Sequence, residues 1–160
     1  MAANKKWAIL YCPKKGMYSR GLRWNKVERS LMDNGIDFDY VQCENANSVE
    51  RLITMFIDNG YQTIVVVGGD SALNDAVNCL MRVDKETRDG IALGVIPNGL
   101  MNDFAHFWGI TEMDVDTIVK WLKKRRIRRI DLGSIRYINK EGKNCRRYFL
   151  NCVNVGLIAT

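Results

Sequence analysis

Residues 63–75, Thr-Ile-Val-Val-Val-Gly-Gly-Asp-Ser-Ala-Leu-Asn-Asp, pass from an almost unbroken β-branched run into two glycines and then a helix-compatible stretch. Thr63 to Val67 lacks the polar alternation of a half-exposed strand, so the segment reads as a strand buried on both faces of a parallel sheet. Gly68-Gly69-Asp70 ends it abruptly. From Ala72 to Met81, Leu73, Ala76, Val77 and Leu80 share one helical face. Ile91 to Ile96 is a second strand of the same kind and ends in the sharp turn Pro97-Asn98-Gly99. Two buried strands therefore each deliver a glycine-bearing loop.

The same alternation extends outward in both directions. Upstream, Trp7 to Cys12 reads as a first strand ended by Pro13 and Gly16, and residues 22–34 carry Leu22, Val27, Leu31 and Met32 at helical spacing before Gly35. Ile36 to Val41 is a second strand, and Asn47 with Glu50 forms a capping box for a helix through Leu52, Ile53, Phe56 and Ile57. Downstream, Met101 to Trp108 predicts a short helix, and Thr111 followed by Asp114 caps a longer one through Ile118, Val119, Trp121 and Leu122. Ile130 to Ile138 and Arg147 to Val155 are strand-like segments joined by the turn signal at residues 139–143. The expectation is an α/β fold: three layers, a mostly parallel sheet with helices on both faces, and a closing antiparallel hairpin.

Composition narrows the function classes. A chain of 160 residues with 47% hydrophobic and 26% charged residues fits one globular domain and excludes a disordered or fibrous protein. No apolar stretch approaches the roughly 20 residues of a spanning helix, and the start shows no small-residue cleavage site, so the expected location is cytoplasmic. The five cysteines are odd in number and lack a C-x-x-C pair, which reads as reduced thiols packed as small hydrophobes. Net charge is +6, but six basic residues fall within Lys123 to Arg129, so the chain is not a polybasic nucleic-acid surface. That run suits a helix C-terminus, with anionic lipid headgroups as its other reading.

Ligands of open α/β sheets collect beyond the carboxyl ends of the strands, where both glycine loops emerge. Gly68 and Gly69 allow close backbone approach, and the following helix can point N–H groups at phosphate. Asp70 can hold a metal ion through water or orient a nucleophile; the structural alternative is a tight turn with Asp70 as helix cap. In the second loop Asn102 can offer a donor and an acceptor to a nucleotide, and Asp103 can order the first loop by accepting backbone N–H bonds, capping again being the alternative. Neither loop is G-x-G-x-x-G or G-x-x-x-x-G-K-[ST]. His106, the one histidine, has no ligand cluster and reads as packed or solvated, with a phosphate contact as the other possibility.

Three segments together resemble a known family. Cys12-Pro13-Lys14-Lys15-Gly16, Gly68-Gly69-Asp70-Ser71-Ala72-Leu73-Asn74-Asp75 and Pro97-Asn98-Gly99-Leu100-Met101-Asn102-Asp103-Phe104-Ala105 are similar to the N-P-x-x-G, G-G-D-G-T-x-N-E and P-x-G-T-x-N-D-F-A motifs of the diacylglycerol kinase catalytic domain. Asp131-Leu132-Gly133 and the stretch from Tyr148 to Gly156 extend the likeness over essentially the whole chain.

The resemblance implies an ATP- and Mg2+-dependent lipid kinase that moves the γ-phosphate to a lipid hydroxyl such as that of diacylglycerol. By position, Gly68, Gly69 and Asp70 would surround phosphates and magnesium, with Asp70 the catalytic and metal-holding residue. Ser71, Asn74, Gly99, Asn102 and Asp103 would support the nucleotide, and Gly16 with Lys14 or Lys15 would lie over the phosphates. It also implies that residues 1–160 are the nucleotide-binding half, with the family's second, β-sandwich domain outside this chain. Implied partners are the nucleotide, a lipid or other alcohol acceptor, the inner face of an anionic membrane and a second copy of the chain. The departures are Cys12 for asparagine, Ser71 and Ala72 for glycine and threonine, Asp75 for glutamate, Leu100 for threonine and His106 for arginine. The alternative reading is therefore a catalytically degenerate nucleotide-binding or regulatory domain.

Overall fold

The computed structural model describes residues 4–13, 22–45, 48–111, 113–124 and 126–151. The elements run β1 (Asn4–Tyr11), α1 (Trp24–Asp33), β2 (Phe38–Gln42), α2 (Ser48–Asp58), β3 (Tyr61–Gly68), α3 (Asp70–Leu80) and α4 (Lys85–Asp89). They continue with β4 (Ala92–Pro97), α5 (Asp103–Phe107), α6 (Val115–Lys123), β5 (Gly133–Ile138) and β6 (Asn144–Phe149). Four strands form a sheet in the order β2-β1-β3-β4, and β5 and β6 form a separate pair. Every pairing in the larger sheet is parallel, whereas β5 and β6 are antiparallel. The α/β architecture with its terminal hairpin is thus as the sequence predicts.

The core explains the strand sequences. Ile9 and Leu10 of β1 and Ile64 to Val67 of β3 are at most 1% exposed, because helices cover both faces of these central strands. Right-handed crossovers put α1 on one face and α2 and α3 on the other. Accordingly α1 packs on α6, and α2 packs on α3. Gly94 in β4 makes room for α6: a Cβ there would stand 3.3 Å from Leu122 Cδ2 and from Val65 Cγ2. Gly35, at φ 63°, stops α1 by letting the Ile36 N–H return to the Leu31 carbonyl at 3.0 Å.

Several boundaries differ from the expectation for local reasons. Helix α3 begins at Asp70 rather than Ala72, and α5 is confined to Asp103–Phe107. Thr111 does not cap α6; Asp114 does, accepting the Thr117 N–H at 2.9 Å. Helix α4 has no buried residue and so left no apolar periodicity to read, although Asp84 caps it through the Thr87 N–H. Residues 130–132 precede β5, and β6 spans Asn144–Phe149 instead of starting at Arg147. The predicted cap Asn47, and the hairpin strand from residue 152 onward, lie outside the described residues. Cys12, Cys43, Cys79 and Cys145 are free thiols. Among the described residues no helix is long and apolar enough to cross a membrane.

The amino-terminal edge of the sheet is tied together by three strands at once. Asp39 on β2 accepts the Tyr61 hydroxyl of β3 at 2.7 Å and Lys6 Nζ of β1 at 3.2 Å. The Tyr61 hydrogen bond, then the Lys6 contact, hold the Asp39 carboxyl below its ordinary range. A depressed carboxyl adds stability above its unfolded pKa and loses it as pH falls through the folded value. Tyr61→Phe is therefore expected to lower stability at pH 7 by about 0.5–1 kcal/mol, the range being reduced for solvent screening. In urea titrations the gap from the parent protein should narrow as pH falls out of the ordinary carboxylate range and through the depressed Asp39 value.

Candidate functional site

The strand order places a topological switch between β1 and β3. The chain leaves β1 toward β2 and leaves β3 toward β4, so their following loops diverge and open a crevice at the carboxyl edge of the sheet. Two glycine loops meet there, and the flanks of another, Cys12 and Leu22, are anchored beside them. The first follows Cys12 and Pro13, and its predicted site residues Lys14 and Gly16 lie outside the described residues. The second is Gly68-Gly69 at the end of β3, and the third runs from Asn98 to Asn102 after β4.

The second and third loops touch backbone to backbone. A Cβ on Gly69 would stand 2.8 Å from Gly99 Cα, and one on Gly99 would press on Gly69 Cα and stand 2.7 Å from Asn102 Oδ1. Real side chains do not tolerate such separations, so both glycines are required by loop contact alone. Gly68 is enclosed less tightly, a Cβ there lying 3.2 Å from Ala72 Cβ and 3.3 Å from Cys12 Cβ.

Asp70 sits at the first position of α3, whose N-cap Gly69 provides no side-chain cap. Its carboxylate instead caps the neighbouring helix: Oδ2 accepts the Asp103 N–H at 2.9 Å and Oδ1 the Phe104 N–H at 3.0 Å. Asn151 Nδ2, beyond the hairpin, donates a third bond to Oδ1 at 3.2 Å. This corrects two expectations. Asp70 does not cap its own helix, and the ordering bond between the loops runs from the Asp103 backbone to Asp70 rather than from the Gly68-Gly69 loop to the Asp103 carboxylate.

Asn102 adopts the left-handed conformation, φ 55°, and turns its amide back on the loop. Oδ1 accepts the Gly99 N–H at 2.7 Å, and Nδ2 donates to the Gly99 carbonyl at 3.2 Å. Each group retains further hydrogen-bonding capacity toward a ligand. Ser71 is exposed on the first turn of α3, and Asp103 is exposed on α5. Asn74 is half-buried, and its Oδ1 is inaccessible yet has no hydrogen-bond partner among the described residues. His106 Nδ1 lies 3.0 Å from Thr111 Oγ1, a local contact within its own loop.

The residue that organises the crevice most widely is Asn98, which the sequence marks only as the middle of a turn. It is 6% exposed. Its Nδ2 donates to the Cys12 carbonyl at 3.2 Å, and its Oδ1 accepts the Leu22 N–H at 2.7 Å. One side chain thereby clamps both ends of the first loop. Its own N–H extends the β3 ladder to the Gly68 carbonyl at 2.9 Å, and Tyr11 Oη donates to the Leu22 carbonyl at 2.9 Å.

The hairpin is fastened to α3, the helix that starts at the site. Asn78 pairs with the Tyr148 backbone in both directions at 2.9 Å, and Asp75 forms an ion pair with Arg147. Asp75 therefore faces the hairpin. A cavity of about 660 Å³ lies along β4 and α6, lined by Trp7, Val65, Leu93, Trp108 and Leu122, away from the glycine loops.

Among the described residues no three histidine, cysteine, aspartate or glutamate side chains cluster closely enough to hold a metal ion. Magnesium does not require such a cage: one carboxylate, water and phosphate oxygens suffice. Asp70 fits that lesser role through the lone pair on Oδ2 that its three donors leave open.

The model of the diacylglycerol kinase catalytic domain matches residues 6–135, and the chain belongs to that family. YtlR of Bacillus subtilis (strain 168), a lipid kinase by name, is 27% identical over 157 residues, covering 96% of this chain and 48% of its own. The diacylglycerol kinase of the same organism is 32% identical over 100 residues, covering 60% of this chain and 27% of its own. A crystal structure of a diacylglycerol kinase from Bacillus anthracis str. Sterne shares the fold, with TM-score 0.65, 17% identity, and coverage of 88% of this chain and 47% of that one. The chain spans less than half the length of each of these proteins.

The loop contact makes a direct prediction. Gly99→Ala should destabilise the protein by about 1–3 kcal/mol, because the new methyl meets Gly69 backbone that cannot yield without moving β3. Gly109→Ala, where the added methyl meets nothing within 4 Å but φ is 68°, should cost about 1–2 kcal/mol from backbone conformation alone. Urea unfolding measures both. Only Gly99→Ala is expected to shift amide signals in both glycine loops.

Proposed function

We propose that this member of the diacylglycerol kinase catalytic domain family binds ATP with magnesium in the crevice at the β1/β3 switch point. The complete protein would then transfer the γ-phosphate to a lipid hydroxyl, with this chain as its nucleotide-binding half. The observation that carries the reading is the meeting of the two glycine loops around Asp70, at the position where open α/β sheets take their ligands. The short span relative to lipid kinase relatives supports a second domain as the source of the acceptor pocket.

The residues have distinguishable tasks in this reading. Helix α3 has eleven residues, and its first-turn N–H groups lack intrahelical acceptors, so its positive end faces the phosphates. Asn98 anchors Cys12 and Leu22, the two residues that flank the first loop. Asp70, kept in one orientation by three donors, presents a fixed carboxylate to the magnesium hydration shell. Magnesium, when bound, supplies neutralisation of charge on the transferring phosphoryl group. A lipid acceptor would bring the protein to a membrane, where exposed Lys123, Lys124, Arg126, Arg128 and Arg129 suit anionic headgroups.

A second reading, a nucleotide-binding or regulatory domain without turnover, is favoured by two replaced positions. Ala72 packs against Gly68, and Leu100 is 81% exposed; neither offers the hydroxyl of the family threonine. Each absence lowers nucleotide affinity by about 0.5–1.5 kcal/mol relative to a family member that keeps the hydroxyl.

Calorimetric titration of ATP into the protein separates these readings. Magnesium-dependent binding that weakens at least about tenfold in Asp70→Asn, with circular dichroism unchanged, is the expected result. No detectable heat at millimolar nucleotide overturns the kinase reading. Asn98→Ala should weaken ATP by about tenfold while leaving two unsatisfied backbone groups, and Leu100→Thr should tighten it about two- to tenfold. The second variant has no packing to lose, so a gain in affinity reports on the nucleotide alone.

A further inference from the structure

Cys12 and Cys43 stand side by side at the mouth of the first loop. β1 and β2 are parallel neighbours with Tyr11 opposite Gln42, and the next residue on each strand is a cysteine. The Cys43 N–H donates to the Tyr11 carbonyl at 2.8 Å, and the Cys12 N–H donates to the Val67 carbonyl at 2.8 Å, so both backbones are fixed. The two sulfur atoms are 3.0 Å apart as free thiols. Adjacent strands lie about 4.8 Å apart, within the Cα separation a disulfide spans, and closing the bond brings the sulfurs together by about 1 Å.

The two thiols are chemically unequal. Cys43, 5% exposed, has its thiol pKa lowered by the Cys12 S–H hydrogen bond and by the Ser48 hydroxyl at the start of α2. Cys12 is half-buried, and its pKa is raised by the same hydrogen bond, by burial and by the nearby Asp75 charge. Cys79, also 5% exposed, donates to the Glu50 carbonyl instead, and its pKa is pushed up to about 11, chiefly by burial. A thiolate-prone sulfur beside a protonated one is the arrangement of an attacking and a resolving cysteine.

We propose that Cys12 and Cys43 form a reversible dithiol–disulfide couple that a peroxide oxidises and that ties the end of β1 to the end of β2. The Cys43 thiolate attacks a peroxide oxygen, the O–O bond breaks, and hydroxide leaves from hydrogen peroxide as Cys43 becomes a sulfenic acid. The Cys12 sulfur then attacks the Cys43 sulfur; the S–O bond breaks and water leaves with the Cys12 proton. The two thiols lose two electrons, and the peroxide is reduced to two waters. Cys12 touches the Gly68 turn, and its carbonyl is the Asn98 anchor, so the bond acts on the root of the first loop. None of this depends on which ligand the crevice takes.

The test uses the wild-type chain. Reduced protein is treated with stoichiometric hydrogen peroxide, alkylated, digested and read by mass spectrometry. The expected product has lost two hydrogens and carries a Cys12–Cys43 cross-link, with Cys79, Cys145 and Cys152 alkylated and dithiothreitol restoring the starting mass. Its thermal midpoint should rise by on the order of 5 °C, since the bond closes a long loop. In Cys12→Ser, Cys43 should stop at a sulfenic acid that dimedone traps. Cross-links between molecules, a Cys43 still alkylated after excess peroxide, or a disulfide that lowers the midpoint would each overturn the proposal.

Discussion

The architecture of the crevice depends on the contact between Gly69 and Gly99. β3 and β4 are adjacent parallel strands, so their loops leave the same sheet edge about 4.8 Å apart and must either diverge or touch. With hydrogen in place of Cβ on both, the backbones meet directly. That contact brings the Asp70 carboxylate onto the first N–H groups of α5, and it requires Asn102 to turn left-handed and close the loop on Gly99. Asn98 then lies under the contact, adding one rung to the β3 ladder and reaching the first loop.

How much of this was legible in the sequence follows from how far each interaction reaches. Burial on both faces forces an apolar, β-branched strand, so Thr63 to Val67 announced its place in the sheet, and Gly35 announced the end of α1 because a left-handed stop favours glycine. Helix α4 was silent, since a helix with no buried residue carries no apolar period. Asn98 and Asn78 were silent for a different reason. Their partners lie 76, 86 and 70 residues away, and spacing along the chain says nothing about such encounters. Asp70 and Asp103 show the same limit at short range. The sequence placed a carboxylate in each loop, and only the approach of the loops determined which one receives the other's backbone.

Helix α3 links the crevice to the hairpin. Its first residue is Asp70, and two turns later Asp75 and Asn78 hold β6 through Arg147 and the Tyr148 backbone. The chain beyond β6 returns to the same carboxylate through Asn151. A displacement of the hairpin therefore acts on Asp70 along two routes, one through a rigid helix and one through a side-chain bond. The family's aspartate is in this way mechanically connected to the segment that leads out of the fold.

Structural and ligand demands can be separated residue by residue. Gly69 and Gly99 are accounted for by loop contact, Gly68 by the packing of Cys12 and Ala72, and Asp70 by the cap it gives α5. Those motif positions would be needed to hold the crevice open even with no nucleotide in it. What folding leaves without a use among the described residues is smaller: the N–H groups of Asp70, Ser71 and Ala72 at the start of α3 and the inaccessible Oδ1 of Asn74. A buried amide oxygen without a donor costs free energy. The glycines that make the motif recognisable thus answer to the packing of the loops, and the open N–H groups at the start of α3 do not.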